Sequence, residues 1–353
     1  MKLKYFFIIV IILFVINCNT QNYQEEVSIV VESTVKDQSQ LLFKKGNLLF
    51  NQKKYQEAID FYNRSIKLNP SLPEVYINRG LAYERLNNNR LAINNYNIAI
   101  KLDPKNYLAY YNRAIIYYKF NKYQAAIEDN TKVIEIIPDF VLAYFNRGKI
   151  YYDLKNYQKS LIDFTKVIDL NSNYIYAYIN RGNVFNSIKE YNKAIIDFTK
   201  AIEINPNIPI IYFNRAVTFD LLNDFKKSIQ DYTKAIDLNP NLSIFYYNRG
   251  VAYYQTKNYK KSIEDFTTTI KLNPENDGAY INRGNAYASL KEYELAIKDY
   301  NQGIKINPKN PYNYKNRAII YNIIGNKELA DQDLTIAEQL ENRSEINKDN
   351  DYL

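Results

Sequence analysis

The sequence predicts an all-α solenoid, in which short antiparallel helix pairs stack one after another along the chain. A tripeptide of Asn, Arg and then Gly or Ala recurs eight times at a constant interval of 34 residues. Inside each period the apolar residues are three or four positions apart, as they are on one face of a helix. A fixed period of this length is typical of one structural unit that is repeated along the chain. The tripeptides begin at Asn78, Asn112, Asn146, Asn180, Asn214, Asn248, Asn282 and Asn316, which we call the Asn row.

The first residues predict export from the cytoplasm. Lys2 and Lys4 precede an uninterrupted apolar run of eleven residues, Phe6 to Ile16. This run is too short for a membrane-spanning helix, which needs about 20 residues. A basic start followed by a short apolar run is typical of a signal peptide. Residues 1–17 are therefore predicted to be one.

The single cysteine of the chain, Cys18, directly follows this run. The arrangement resembles the lipobox of bacterial lipoproteins, which implies that Cys18 is lipidated and becomes the mature N-terminus. Val15 and Asn17 depart from the lipobox pattern, so ordinary cleavage near Asn19 and a retained anchor are the alternatives. Residues 18–38 are polar and are predicted to be a tether between a membrane of the cell envelope and the folded part.

Nine repeats are predicted over residues 39–344, followed by a polar tail at 345–353. In the unit that begins at Pro73, Tyr76, Gly80 and Tyr83 are spaced as on one face of a first helix. A polar turn at 87–89 separates this helix from a second one, which ends before Pro104 because proline cannot continue the hydrogen-bond ladder. The same closing proline recurs at Pro70, Pro138, Pro206, Pro240, Pro274 and Pro308.

Small residues recur at one place in each helix of the unit. Gly80 lies in mid-helix, where glycine costs about 1 kcal/mol relative to alanine. Its repetition as Gly or Ala predicts a close approach of the second helix, where Ala92 and its equivalents are also small. We therefore expect a small residue to face a small residue inside each pair.

A repeating ion pair is predicted inside the stack. From the third unit onward, the Arg of each tripeptide is matched by an aspartate 16 residues later on the second helix. We expect these pairs to fix the register of the helices and, as exposed pairs, to contribute about 0–1 kcal/mol each. The aspartates are Asp129, Asp163, Asp197, Asp231, Asp265, Asp299 and Asp333.

These repeats resemble the tetratricopeptide repeat family over residues 39–344. The resemblance implies a right-handed superhelical array that binds protein or peptide partners and has neither a cofactor nor a catalytic site. An Arg replaces the family's usual Leu before the Gly, and Asp331 and Glu338 give the last helix the polar face of a terminal cap. The residues that carry the resemblance are Tyr76, Gly80, Tyr83, Ala92, Tyr96, Ala99 and Pro104.

The Asn row is the candidate binding site. In the resembling family this place on the first helix faces a concave groove. An amide both donates and accepts hydrogen bonds, so a ladder of amides suits the backbone of an extended peptide. The residues just before the row, which include Tyr111, Phe145, Phe213 and Tyr247, are expected on the same wall, although part of this set can pack between helices. Simple duplication of the unit is the alternative explanation of the row.

Composition narrows the functions. Histidine is absent and there is one cysteine, so catalytic triads with His and zinc sites built from Cys and His are excluded. A net charge of +8 leaves nucleic-acid binding as an alternative. A homo-oligomeric structural role is another. The clamp with which some co-chaperones of this family grip acidic heat-shock protein tails is absent, because Phe43, Leu108 and Asn112 stand where it needs cations. The leading prediction is a non-catalytic scaffold at the cell envelope.

Overall fold

A computed structural model describes the backbone of residues 20–350 and the side chains of residues 34–342. Within residues 20–350 the chain forms eighteen helices in tandem pairs and no strand, which confirms the predicted all-α class. The helices are α1 (Thr20–Asn51), α2 (Tyr55–Leu68), α3 (Pro73–Arg85), α4 (Asn89–Leu102), α5 (Tyr107–Lys119), α6 (Tyr123–Ile136), α7 (Val141–Asp153), α8 (Tyr157–Leu170), α9 (Ile175–Ser187), α10 (Tyr191–Ile204), α11 (Pro209–Leu221), α12 (Phe225–Leu238), α13 (Ser243–Gln255), α14 (Tyr259–Leu272), α15 (Asp277–Ser289), α16 (Tyr293–Ile306), α17 (Pro311–Ile323) and α18 (Lys327–Asn350).

Odd-numbered helices are the first helices of the repeats, and even-numbered helices are the second ones. The chain divides into two compact units, residues 1–156 and 157–353. Within each unit, first helices of adjacent repeats contact one another, whereas second helices in the described residues do so little or not at all. Because the first helices are closer together, they lie on the inner side of the curvature of each unit.

Each helix pair is joined by a turn that contains a left-handed residue. In the second repeat Asn87 has φ of 58°, its N–H donates to the carbonyl of Glu84, and the N–H of Asn88 donates to the carbonyl of Tyr83. This double hydrogen bond closes the end of α3 in the manner of a Schellman motif. The polar turn predicted at 87–89 is therefore a specific helix-capping structure.

An aromatic ring explains the recurring glycines. A Cβ added to Gly80 would come within 2.6 Å of a ring carbon of Tyr96, and one added to Gly182 within 2.7 Å of Phe198. The predicted contact between small residues also occurs, since the Ser262 hydroxyl donates to the carbonyl of Gly250 at 2.8 Å. The ring on the second helix, which the sequence analysis did not consider, is the stronger restriction on the glycine.

Both ends of the array differ from the predicted boundaries. Helix α1 begins at Thr20, so residues 20–38, predicted to be a tether, are helical and continuous with the first repeat. Helix α18 continues to Asn350, beyond the predicted end of the last repeat. The predicted signal peptide and Cys18 lie outside the described residues. None of the helices in the part that is described has the length and apolarity required to cross a membrane.

Candidate functional site

The Asn row lies in the middle of the first helices, on the inner side of each compact unit. All eight side chains of the row are half-buried. One helical turn earlier on the same face stands the second residue of each first helix, and one turn later stands the ninth. We call the face formed by these three positions the inner face.

Several amides of the row connect adjacent repeats. The Nδ2 group of Asn78 donates to Oδ1 of Asn47 at 2.8 Å, and Asn316 donates in the same way to Asn285 at 3.0 Å. Asn214 donates to Asn183 at 3.2 Å. These bonds form wherever the preceding repeat has an asparagine at its ninth position. This part of the row therefore stabilises the stacking of repeats.

Other amides of the row do not bridge repeats in this way. Asn180 and Asn248 each donate to a carbonyl of their own helix, those of Tyr176 and Ile244, at 2.7 and 2.8 Å. These bonds to the residue four positions earlier leave the amide at the surface of the inner face. The two residues are therefore the members of the row that are best placed to meet a partner.

The aromatic residues beside the row lie partly between helices. Tyr111, Phe145, Phe213 and Tyr247 are half-buried. The ring of Phe213 lies 5.2 Å from that of Phe245 in the next repeat. Burial raises the pKa of the Tyr111 hydroxyl, an effect that a hydrogen bond with Asn146 partly offsets. Tyr247 accepts a hydrogen bond from Asn282 at 3.0 Å. These rings build the walls of the inner face more than they project from it.

A row of exposed apolar side chains was missed by the sequence analysis. The second residue of the first helix is apolar in most repeats from the third onward, and it is 56% exposed at Tyr176 and 63% at Tyr312. The signal was present in the sequence, because an apolar residue stands four positions before most members of the Asn row. The row consists of Leu108, Leu142, Tyr176, Ile210, Ile244 and Tyr312.

The arginines of the tripeptides are structural. Nε and one terminal amino group of Arg249 donate to the two carboxylate oxygens of Asp265, each at 2.8 Å, while the other amino group donates to Thr233 of the preceding repeat at 3.0 Å. The guanidinium lies between the rings of Tyr246 and Tyr253, 5.8 Å from each centre. The predicted pair between the arginine and the aspartate 16 residues later is confirmed.

The prediction that these pairs are exposed is wrong. Asp265 is only 5% exposed and Asp197 only 2%. In the second repeat Asn95 replaces the aspartate and accepts from Nε of Arg79 at 2.7 Å. Removal of the arginine would leave a buried carboxylate charge without a partner. This loss destabilises the folded state far more than the loss of an ion pair at the surface does.

Comparison with known proteins identifies the repeat. Three tetratricopeptide repeat models match the chain, one at residues 141–174, 175–208, 243–276 and 278–310, another at 77–139 and a third at 46–87 and 221–257. A search of curated proteins matches the Hsp70-Hsp90 organizing protein of Triticum aestivum, 50% identical over 42 residues, which are 12% of this chain and 7% of that protein.

Two solved structures share the fold. The C-terminal part of a tetratricopeptide repeat protein from Cytophaga hutchinsonii has a TM-score of 0.59 at 20% identity, covering 68% of this chain and 98% of that one. A tetratricopeptide repeat protein from Parabacteroides merdae has a TM-score of 0.54 at 19% identity, covering 76% of this chain and all (100%) of that one. At these identities the likeness concerns the fold alone.

Proposed function

We propose that this chain, which carries tandem tetratricopeptide repeats, is a non-catalytic scaffold that binds an extended peptide or a helix of a protein partner along its inner face. The observation that carries the proposal is the exposed apolar row, which within each compact unit runs beside the Asn row on consecutive first helices. Exposed apolar residues in a contiguous row mark interaction sites on soluble proteins. Amides four residues away supply hydrogen bonds for a partner's polar backbone.

Two other partner classes find less support on this face. Arg181, Arg215 and Arg249 are engaged by buried aspartates, so they do not form a row of free cations for phosphate groups. The acidic tails gripped by the clamp type of this fold need cations that Phe43, Leu108 and Asn112 do not supply. An uncharged or mixed peptide with apolar anchors fits the inner face better.

The test uses peptides selected from a random library displayed on phage, with the full chain as bait. Replacing both Asn180 and Asn248 by alanine removes amides that bond only to their own helix. Each hydrogen bond to a bound peptide is worth about 0.5–1.5 kcal/mol, so we expect affinity to fall about 5- to 150-fold. The melting temperature should stay constant or rise, because alanine is the better helix former.

A matched control separates binding from folding. Replacing Asn214 by alanine removes its bond to Asn183 and should lower the melting temperature. If the Asn180 and Asn248 double variant binds the selected peptides as tightly as the unchanged chain, the amides do not contact the partner. If none of the selected peptides binds at the inner face, the proposed function itself is refuted.

The proposed location is the cell envelope, with Cys18 lipidated after removal of residues 1–17. The support is the basic start, the apolar run and the position of the single cysteine. Replacing Cys18 by serine should move the protein from the membrane fraction to the soluble fraction, and metabolic labelling with a palmitate analogue should mark only the unchanged chain. Equal membrane retention of both proteins would refute lipid anchoring.

A further inference from the structure

The third repeat lacks the ring that fills the middle of most other repeats. At the corresponding place on the second helix, seven repeats have Tyr or Phe, all of them buried, whereas the third has Asn130. The first helix of that repeat also has Ala114 where six repeats have a glycine, and Gly80 and Gly182 face a ring of the second helix. The seven rings belong to Tyr62, Tyr96, Phe164, Phe198, Tyr232, Phe266 and Tyr300.

The missing ring leaves a cavity. Its volume is about 250 Å³, and its walls include Tyr111, Ile115, Tyr118, Lys149 and Ile150. Asn146 of the Asn row also lines it, so the cavity lies along the inner face. Two of the tyrosines that stand at this place in other repeats reach toward the same face, since the Tyr62 hydroxyl donates to Asn47 and the Tyr300 hydroxyl donates to Asn285.

The floor of the cavity has an acceptor without a donor. Asn130 is 1% exposed, and its Nδ2 donates to the carbonyl of Ala126 at 2.8 Å. Its Oδ1 is buried and has no hydrogen-bond partner in the described structure. The opposite assignment of the amide would point two carbonyl oxygens at each other, so the free atom is the oxygen. A buried acceptor of this kind favours a ligand that brings a hydrogen-bond donor.

We infer that this cavity is a side-chain pocket for a tyrosine of the bound peptide, an inference that rests on the proposed function. The ring takes the space that a ring of the chain itself takes in seven repeats, but it enters from the inner face. Its hydroxyl then donates to Oδ1 of Asn130. A phenylalanine fills the same space and leaves the acceptor unpaired, so the pocket prefers tyrosine.

The first experiment titrates the full chain with two small probes, p-cresol and toluene, and follows binding by NMR of the probes' own methyl resonance, which can be observed with every variant. We expect p-cresol to bind about tenfold more tightly than toluene, the ratio that one hydrogen bond confers. Asn130→Leu keeps the size of the side chain and removes the acceptor, so it should abolish the preference. Equal affinity of both probes for the unchanged chain would overturn the assignment, and so would failure of both to bind, which would mean a cavity that holds only water.

A second variant fills the pocket with the chain's own ring. Ala114→Gly together with Asn130→Phe recreates the arrangement of Gly182 and Phe198. It should raise the melting temperature and abolish p-cresol binding, and Ala114→Gly alone is the control for the glycine. If the variant is less stable and still binds p-cresol with unchanged affinity, the probe does not bind in this cavity.

The last step connects the pocket to the peptide. Among the library-selected peptides, Tyr→Phe should weaken binding to the unchanged chain about tenfold and have no effect with Asn130→Leu. An equal loss with both proteins would refute the contact. Because the p-cresol titration involves no peptide, it can fail while the Asn180 and Asn248 test succeeds, so failure of the pocket and failure of the proposed function remain distinguishable.

Discussion

At the scale of single residues, the arginine of each tripeptide joins three helices. Arg181 binds both carboxylate oxygens of Asp197 in its own repeat and the hydroxyl of Thr165 in the preceding one. The pairing was predictable, because the 16-residue interval repeats. The burial of the aspartates and the aromatic rings around the guanidinium were not, since one period places many residues near each arginine without ranking their distances.

The second repeat provides a natural guide for altering such a pair. There Asn95 replaces the aspartate and still accepts from Arg79. We therefore expect Asp265→Asn to lower the free energy of unfolding by about 1 kcal/mol. Asp265→Ala leaves the guanidinium of Arg249 without its partner and should cost about 3 kcal/mol or more. Urea unfolding measures both values, and equal losses would contradict a role for the Nε hydrogen bond.

Asp220 and Asp224 should make the stability of the folded state depend on pH in opposite directions. Burial raises the pKa of Asp220, whose carboxylate accepts from the Tyr232 hydroxyl at 2.6 Å and has one buried oxygen without a partner. The folded state therefore holds this proton more tightly than the unfolded state. Its stabilising effect is largest below the ordinary pKa of aspartate, about 4, and is lost as the pH rises through the folded-state pKa.

Replacing Asp220 by asparagine should thus stabilise the protein more at pH 7 than at pH 4. Asp224 is the matched control, because a hydrogen bond from Lys227 lowers its pKa. Its stabilising effect is present above the ordinary pKa and is lost as the pH falls, so Asp224→Asn should be more harmful at pH 7 than at pH 4. Melting curves at both pH values distinguish the two slopes. Parallel slopes would contradict the burial argument.

At the scale of helices, the structure explains how each first helix ends. Closing prolines and polar turns predicted where helices end, and the bounds agree with the 34-residue period. What the sequence did not reveal is the left-handed backbone at the end of each first helix, because eight of the residues that adopt it are Lys or Asn and only Gly325 is a glycine. The period locates the turn but does not give its φ angle.

Lysine in a left-handed conformation is strained, since its Cβ crowds the following carbonyl. Lys189 has φ of 64°, so Lys189→Gly should relieve this strain. Glycine also has more conformational freedom in the unfolded chain, which offsets part of this gain. The net stabilisation of the folded state is therefore about 0.5–1 kcal/mol. Asn223, with φ of 58°, is the control, because asparagine tolerates this conformation and its change to glycine should gain less. Thermal unfolding measures both, and a loss with Lys189→Gly would contradict the strain.

At the scale of the whole molecule, the second helix of the ninth repeat differs from those of the other repeats. Asp331 and Glu338 are exposed in α18, as predicted for a cap. Their equivalents in the preceding repeat are Ile297 and Ile304, both half-buried. Because each repeat buries its apolar face against the next one, the final repeat needs a polar face.

Replacing both Asp331 and Glu338 by isoleucine should therefore cause association of chains through this end. Sedimentation velocity should show oligomers that increase with concentration. The control replaces Lys200 and Glu203, both exposed on the surface of α10, by isoleucine and adds the same apolar side chains away from the end. Equal association of both variants would mean general insolubility rather than an exposed repeat interface.

The most direct test of the central claim maps where a partner touches the chain. A photo-crosslinking amino acid placed at Ile244, 46% exposed in the apolar row of the inner face, should capture the partner. The same probe at Ile196, 67% exposed on the second helix α10, should not, although it is more accessible. Crosslinking in intact cells followed by mass spectrometry compares the two positions. Capture at Ile244 alone is the predicted result, and equal or stronger capture of the same partner at Ile196 would contradict binding along the inner face.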